Sequence, residues 1–290
     1  MAEWKAFTSL SEEQMQSIWN YDCKDPFAFL GIHPLQTDKG VKTVVRTYQP
    51  HASFVRAESM DGSVEFDFVK LGDSGFYEAV LDMDFEPFQY RLHITLPGGN
   101  IYHILDPYSF LPVLSDFDRY LINAGRHYEL YRKLGANLVT HQGIPGVHFA
   151  VWAPNAKSVA VVGSFNSWDG RRHPMRLLGE SGVWEIFIPE IGENELYRFE
   201  IHGMDGSLHV KIDPLAKLSE VRPATASITT HLDGYEWNDK LYMDTHHATG
   251  VFGAPMNIYE VHAGSWKRDP MNPDRFLNWD ELADTLIPYL

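Results

Sequence analysis

The sequence has little that could cross-link the chain or attach it to a membrane. Cys23 is the single cysteine of 290 residues, so no disulfide can form within the chain, and a reducing, cytoplasmic location is predicted. No run of 18 apolar residues occurs, which argues against a membrane-spanning helix. Residues 1–5 lack the basic and apolar regions of a secretory signal, so none is predicted.

Positive charge is also scarce. The formal net charge is −15, and no basic run is present that could neutralise phosphates. Nucleic acids and anionic membranes are therefore not expected as partners. The hydrophobic fraction of 44% and charged fraction of 22% are typical of globular proteins, and the length allows two domains.

Metal sites and catalytic sites are not expected either. Among the 14 histidines, His246 and His247 form only a doublet, and no spacing resembles a ligand set. The carboxylates are scattered rather than paired. We therefore predict neither a metal ligand nor a catalytic residue in this sequence.

An internal repeat is the most informative feature that is present. Three motifs recur in order, 107 positions later: GDSGFYE at 72–78 as GESGVWE at 179–185, YRLHI at 90–94 as YRFEI at 197–201, and DP at 106–107 as DP at 213–214. YQP at 48–50 recurs as WAP at 152–154, at a slightly shorter spacing. Apolar residues alternate with polar ones within the copies, which is typical of antiparallel strands with one buried face. Two tandem β-sandwiches are therefore predicted, with Trp152 and Trp184 in their cores.

One loop of the second copy carries a candidate binding surface. A strand-like run at 159–162 ends in the polar loop GSFNSW at 163–168. Asn166 offers hydrogen-bonding groups beside the flat ring of Trp168, a combination that suits the polar edges and apolar faces of a sugar. We predict Trp168 and Asn166 as carbohydrate-binding residues; alternatively, Trp168 packs under its own loop or against another domain. The corresponding part of the first copy, near residues 60–64, has no tryptophan.

Three further segments have helical signals. Residues 9–20 have helical spacing, with Ser9 and Glu12 as a candidate capping box. A connection over residues 117–144 is expected to hold a short helix that ends at Gly135. Near the end of the sequence, a strand-like run at 256–261 precedes an amphipathic helix from Asn278, which is typical of the first βα unit of a parallel sheet or barrel. The pattern stops at residue 290, and a barrel needs roughly 250 residues.

Taken together, these stretches resemble the N-terminal portion of the bacterial glycogen branching enzymes (1,4-α-glucan branching enzymes) of the α-amylase superfamily. Five motifs in order carry the resemblance: DPFAFLGIH at 25–33, GRHYELYRKLG at 125–135, FAVWAPN at 149–155, GSFNSWDGRRHPM at 163–175 and NIYEVHAGSW at 257–266. The resemblance implies a mainly β fold, with two tandem immunoglobulin-like β-sandwiches followed by the first βα unit of an incomplete (β/α)8 barrel.

The resemblance also implies boundaries between these parts. It predicts a β-sandwich module with a leading helix at 1–116, an ordered connector at 117–144, a glycogen-binding-type immunoglobulin-like sandwich at 145–230, and a connector with the start of the barrel at 231–290.

The activity implied for the complete family member is the transfer of an α-1,4-glucan segment to a 6-hydroxyl, with no metal or organic cofactor. The family's catalytic carboxylates lie in barrel motifs that do not occur up to residue 290, so this chain is expected to be inactive alone. Its expected roles are to position glycogen or maltooligosaccharides and to support the barrel, as a monomer. Related modules usually stack sugar on a second tryptophan after an Asp-Gly turn, where this chain has Asp205-Gly206-Ser207-Leu208.

Two other interpretations stay open at this point. The chain could act alone as a non-catalytic glucan-binding protein, although the apolar face of its last helix would then be exposed. It could also supply the N-terminal modules of a related debranching enzyme. The duplicated module and the stretch at 125–135 favour a branching enzyme.

Overall fold

The structure, a computed structural model, describes residues 8–38, 40–249, 253 and 255–290, without the side chains of 247–249. Residues 1–5 and the side chain of His247, on which two of the expectations depend, lie outside this description. The chain divides into two compact units, Met1–Asp233 and Gly234–Leu290. No helix among the described residues is long and apolar enough to cross a membrane.

The first unit begins with helix α1 (Glu12–Trp19). Its N-cap is Ser11, whose side chain accepts a hydrogen bond from the Gln14 amide while Gln14 caps the Ser11 amide in return. The predicted pair of Ser9 and Glu12 is wrong by two residues. Ser9 instead donates its amide and hydroxyl to the Glu78 carboxylate, an interaction between distant parts of the chain that local spacing does not reveal.

The first sandwich contains eight strands. They are β1 (Gly31–Thr37), β2 (Gly40–Tyr48), β3 (Phe54–Ser59), β4 (Glu65–Asp67), β5 (Val69–Lys70), β6 (Phe76–Leu81), β7 (Tyr90–Thr95) and β8 (Ile101–Leu105). They form two antiparallel sheets in the orders β1-β2-β6-β5 and β4-β3-β7-β8. Apolar side chains of both sheets, among them Val45, Tyr77, Val55 and Leu92, form one buried cluster, as the alternation of β7 predicts.

The second sandwich repeats this arrangement. Its strands are β9 (Gly135–His141), β10 (Ile144–Trp152), β11 (Ala156–Gly163), β12 (Arg176–Leu177), β13 (Val183–Pro189), β14 (Leu196–Gly203), β15 (Leu208–Lys211), β16 (Leu218–Ser219) and β17 (Ser227–Ile228). One sheet has the order β9-β10-β13-β12, and the other has β11-β14-β17-β16, with β15 also paired to β14. The predicted mainly β fold with tandem sandwiches is confirmed.

The internal repeat corresponds to a repeat of contacts as well as of strands. Tyr90 donates its hydroxyl to Asp106 at 2.6 Å, and Tyr197 donates to Asp213 at 2.6 Å in the second copy. All four side chains are buried. A buried hydroxyl and carboxyl must satisfy each other, which explains why both motifs recur together.

The two sandwiches share a hydrophobic cluster. Met15 and Ile18 of α1 belong to the same buried cluster as Tyr48 of the first sandwich and Phe149 of the second. The Trp19 indole donates to the carbonyl of Ser74 at 3.0 Å. Helix α1 therefore lies where it contributes to the packing of both sandwiches.

The connection between the sandwiches differs from the prediction. Helix α2 spans Asp116–Asn123, and only a single 3-10 turn, Leu130–Arg132, precedes Gly135. Gly135 begins strand β9 instead of ending a helix, so residues 135–141 form an edge strand paired with β10. Gly135 has a φ of +85°, and a Cβ there would lie 3.1 Å from the Asp213 carboxylate. A glycine is therefore needed at position 135, but the reason is a close approach between segments that are far apart in sequence and not the end of a helix.

A buried charge network attaches the connection to the second sandwich. Glu185 of β13 is fully buried and accepts the amides of Val113 and Leu114 at 3.1 Å each. It also accepts Arg176 Nε at 3.1 Å and His148 Nε2 at 2.9 Å. Because all of these hydrogen bonds share the Glu185 carboxylate, they fix the segment before α2 to this sheet.

The second unit contains helices α3 (Lys240–Thr249), α4 (Ala263–Trp266) and α5 (Trp279–Leu286). The predicted start of a helix at Asn278 is confirmed: Asn278 is the N-cap of α5, and it forms a capping box with Glu281 through two hydrogen bonds of 2.9 Å. Residues 256–261 have no regular secondary structure, so the strand expected there is not formed. A strand exists only by pairing, and no other segment among the described residues pairs with this run.

Candidate functional site

The candidate site is the segment of residues 163–173, which follows β11 and is here called the Trp168 loop. It contains two 3-10 turns, Ser164–Asn166 and Gly170–Arg172. Ser167 and Trp168 between them have left-handed φ values of 58° and 61°. Non-glycine residues rarely adopt this conformation, so the surrounding contacts must hold the backbone there.

Asn166 supplies most of these contacts. Its Oδ1 accepts the Gly163 amide at 2.9 Å, and its Nδ2 donates to the Val161 carbonyl at 2.9 Å and contacts His173 Nδ1 at 3.0 Å. The Asn166 side chain is 0% exposed. The structure therefore places Asn166 under the loop, where it fixes the shape of the loop and presents no free polar atom to a ligand.

Trp168 lies on the outer side of the same loop. Its amide donates to the Gly163 carbonyl at 3.1 Å, and its residue surface is 43% exposed. An accessible indole on a firmly held turn offers a flat apolar face at little entropic cost, which is the arrangement that favours stacking of a sugar ring. The alternative that Trp168 is covered by its own loop is not the arrangement in the structure.

His173 lies beneath the Trp168 loop, next to Asn166. It packs against Phe165 with ring centroids 5.7 Å apart, and it is buried. Burial, with a smaller contribution from Arg172, lowers the pKa of His173 to about 3. The imidazole is therefore neutral at physiological pH, and Nδ1 can accept the hydrogen bond from the Asn166 amide.

The Trp168 loop also contains an ion pair. Arg171 binds Asp169 through two hydrogen bonds of 2.9 Å. Burial would raise the pKa of Asp169, but the hydrogen bonds from Arg171 outweigh it and the pKa is lowered. The Asp169 carboxylate is therefore ionised, and Arg171 occupies both of its oxygens.

The turn at Asp205–Leu208, where related modules have a second tryptophan, is polar and regular. Asp205 Oδ1 accepts the amide and the hydroxyl of Ser207 at 3.0 and 2.6 Å. Leu208, at the start of β15, is 56% exposed. A leucine offers apolar contact but no flat ring, so this position supplies only a weak second surface.

The structure corrects the expectation for Trp152, while Trp184 is buried in the core as predicted. Trp152 is 59% exposed and borders a groove of about 590 Å³, the Trp152 groove, with Ile122, Leu130 and Leu215 among its lining residues. Its counterpart Tyr48 is buried, in the cluster that also contains Met15 and Ile18 of α1. Beside Trp152, the segment before the second sandwich leaves the Trp152 groove open.

Among the described residues, no group of three histidine, cysteine, aspartate or glutamate side chains is placed to hold a metal ion. Cys23 is buried, and burial raises its pKa to about 11. The thiol is therefore held protonated and unreactive.

These features define a tandem β-sandwich protein with a candidate carbohydrate-binding loop on its second sandwich. Comparison with known families agrees: residues 133–216 match carbohydrate-binding module 48 (isoamylase N-terminal domain), and residues 11–108 match the N-terminal domain of alpha-1,4-glucan branching enzyme GlgB. The chain thus contains the N-terminal domain of the 1,4-α-glucan branching enzyme family, followed by a carbohydrate-binding module.

Curated relatives agree with both matches. The chain is similar to the 1,4-alpha-glucan branching enzymes of Ralstonia nicotianae (45% identity over 92% of this chain and 36% of that protein) and Protochlamydia amoebophila (42% identity over 98% and 38%). The similarity to the enzyme of Pseudomonas aeruginosa is 45% identity over 92% and 35%. The chain thus spans little more than a third of these relatives.

Among solved structures, a type I pullulanase from Bacillus subtilis in complex with maltose aligns with 68% of this chain and 26% of its own, at 18% identity and a TM-score of 0.32.

Proposed function

We propose that this chain holds an α-1,4-glucan on the Trp168 loop and presents it for the branching reaction. The observation that carries the proposal is an exposed indole on a loop whose backbone is fixed by the buried Asn166. This loop lies within the segment that matches a carbohydrate-binding module. Trp168 is the proposed contact residue, and Asn166 is proposed to act by positioning it.

The proposed ligand is a neutral glucan such as glycogen or a maltooligosaccharide. The match of residues 11–108 to the branching enzyme family supports this choice. The acidic balance of the chain, with a net charge of −15, disfavours anionic polymers. We propose that the chain acts as a monomer in the cytoplasm, where its buried Cys23 stays reduced. The carboxylates that break the glucan bond are proposed to come from outside this sequence, on a catalytic barrel that the two sandwiches support.

The proposal is tested by titrating the chain with maltoheptaose and with glycogen, followed by tryptophan fluorescence. With a single aromatic platform, a dissociation constant of about 1 mM is expected, equivalent to about −4 kcal/mol. Trp168→Ala is expected to weaken binding at least tenfold. Trp237→Ala removes an even more exposed tryptophan, 75% against 43% for Trp168, from the second unit and serves as the control.

Two results would contradict the proposal. One is the absence of binding by the unmutated chain when its far-UV spectrum shows it to be folded. The other is equal loss of binding in Trp168→Ala and Trp237→Ala, which would mean that the signal comes from general surface contact. In either case the sandwiches would be left with a purely supporting role.

A further inference from the structure

A second feature adjoins the Trp168 loop. A cleft of about 430 Å³, here called the inter-sandwich cleft, lies where the two sandwiches meet, and residues of both line it, among them His51, Tyr102, Phe165, Ser167, Arg172 and His173. Its volume is within the range of small-molecule sites. The first sandwich and the Trp168 loop both contribute walls.

The chemistry of the lining suits a sugar. Tyr102 and Phe165 offer aromatic surface, and both are half-buried. His51 and Ser167 are exposed and can form hydrogen bonds, while Arg172 reaches across so that its Nη2 donates to the Tyr102 hydroxyl at 3.3 Å. An apolar cleft with a few convergent polar groups is the usual form of a site for a neutral, hydroxyl-rich ligand.

The charges in the cleft favour a neutral ligand over an anion. Arg172 is the one permanently charged side chain in the lining. The neighbouring His173 is neutral because burial lowers its pKa to about 3. A phosphate group would therefore meet a single cation, Arg172, which already donates a hydrogen bond to the Tyr102 hydroxyl. A sugar hydroxyl can form hydrogen bonds with both Arg172 and Tyr102.

Both walls are held firmly. Tyr102 lies in β8, paired with Ile94 of the buried strand β7. On the other side, the Tyr108 hydroxyl lies 3.3 Å from the carbonyls of Arg172 and Pro174. The segment that follows β8 thus binds directly to the Trp168 loop, so the cleft is formed before any ligand arrives.

The position of the cleft connects it to the proposed glucan surface. Ser167 lines the cleft and Trp168 is the next residue, so their Cα atoms are about 3.8 Å apart. The backbone of Trp168 therefore lies next to a residue that lines the cleft. A glucan is long enough to occupy both places at once.

We propose that the inter-sandwich cleft is a second glucan subsite, in which Tyr102, Arg172 and His51 bind the sugar units that extend beyond the one on Trp168. This inference rests on the proposed function of Trp168. It gives the first sandwich, which has no tryptophan loop, a part in binding. It also predicts that affinity depends on the length of the glucan.

The experiment compares maltotriose with maltoheptaose by isothermal titration calorimetry on the full 290-residue chain. The unmutated chain is expected to bind maltoheptaose about tenfold more tightly than maltotriose. Arg172→Ala and His51→Ala are each expected to weaken maltoheptaose binding more than maltotriose binding, and so to reduce this ratio several-fold. The controls are Arg126→Ala and His231→Ala, which remove exposed side chains of the same types outside the cleft.

The outcomes separate the two proposals. If Trp168→Ala weakens both ligands while Arg172→Ala and His51→Ala leave the length ratio unchanged, the subsite is refuted and the role of Trp168 stands. If the unmutated chain binds both ligands equally, the subsite is refuted as well. If Trp168→Ala has no effect on either ligand, the proposed function itself fails. His51 is exposed, so its variant keeps the test valid even if Arg172→Ala fails to fold.

Discussion

Single residues decide whether the Trp168 loop is a usable surface. Asn166 holds the backbone that carries the exposed indole, because it accepts a hydrogen bond from the Gly163 amide and donates one to the Val161 carbonyl. His173 completes this arrangement by accepting from Asn166 with a neutral imidazole. The proposed binding at Trp168 therefore depends on the buried residues Asn166 and His173, which hold the loop in shape.

Asn166→Ala is expected to lower the free energy of unfolding by about 2 kcal/mol, because the Gly163 amide and the Val161 carbonyl lose a buried partner. It is also expected to weaken glucan binding by freeing the loop. Urea denaturation and a maltoheptaose titration measure the two effects. Asn155→Ala, at an exposed position, is the control and should change stability by less than about 0.5 kcal/mol. Equal stability of the two variants would contradict this account of the loop.

Acidification is expected to destabilise the loop through His173. The folded pKa is about 3, below the ordinary value of about 6.5, so the folded state binds fewer protons than the unfolded state. The stabilising contribution is complete above pH 6.5 and decreases as the pH falls, by about 2 kcal/mol at pH 5.

The pH dependence is measured by urea denaturation between pH 7.5 and 5. His173→Gln removes the titrating group and should show a shallower decrease in stability over this range. If the two proteins lose stability in parallel, a group other than His173 is responsible. A maltoheptaose titration at pH 5 should also show weaker binding by the unmutated chain.

At the scale of elements, helix α1 has more influence than its eight residues suggest. Its buried side chains, Met15 and Ile18, are 0% and 2% exposed. They belong to a cluster that includes residues of both sandwiches. An isolated helix of this length is marginal in water, so tertiary packing is what stabilises it.

Met15→Ala is expected to reduce the free energy of unfolding by about 3 kcal/mol, since it leaves a cavity in a fully buried position. Gln16→Ala, one residue further along the exposed side of α1, is the matched control and is expected to be close to neutral. Thermal and urea unfolding followed by circular dichroism measure both. A loss for Met15→Ala no larger than that of the control would show that α1 is not part of the core.

At the scale of the first unit, the two sandwiches are not independent. They share the cluster around α1, the contact of Tyr108 with the Trp168 loop, and a bidentate ion pair between Arg91 and Glu190 at 2.7 and 2.5 Å. The ion pair is partly exposed and contributes little. The shared apolar packing is the stronger reason to expect cooperative unfolding.

Hydrogen exchange of the whole chain tests this expectation. Amides of central strands in both sandwiches, such as Val45 in β2 and Phe149 in β10, should exchange with the same free energy of opening, because neither strand opens without disrupting the common cluster. Opening of β2 at a distinctly lower free energy than β10 would show that the sandwiches unfold separately.

Much of the fold could be predicted because its signals are local or repeated. The alternation in β7 and β14 and the 107-residue repeat indicate two sandwiches, and Asn278 with Glu281 indicates the start of α5. The exposed Trp168 was found because its loop is polar and rich in turn-forming residues. These features depend on residues close together in the chain, which is the range over which periodicity and capping act.

Other features required the tertiary structure. Gly135 has the local appearance of a helix end, but its pairing with Ala150 of β10 makes it the first residue of a strand. Residues 256–261 have a strand-like pattern and form no strand, because a pattern cannot supply a partner to pair with. Trp152 and Tyr48 occupy equivalent places in the repeat, yet Tyr48 is buried in the cluster that includes α1 and Trp152 is exposed.

The sequence by itself thus determined the fold class, the duplicated sandwiches and the loop that carries the candidate site. The tertiary structure decided that Asn166 is a buried support and that the two copies enclose a cleft beside Trp168. The physical reason is that burial and enclosure are properties of segments far apart in the chain, and they arise only when these segments pack together.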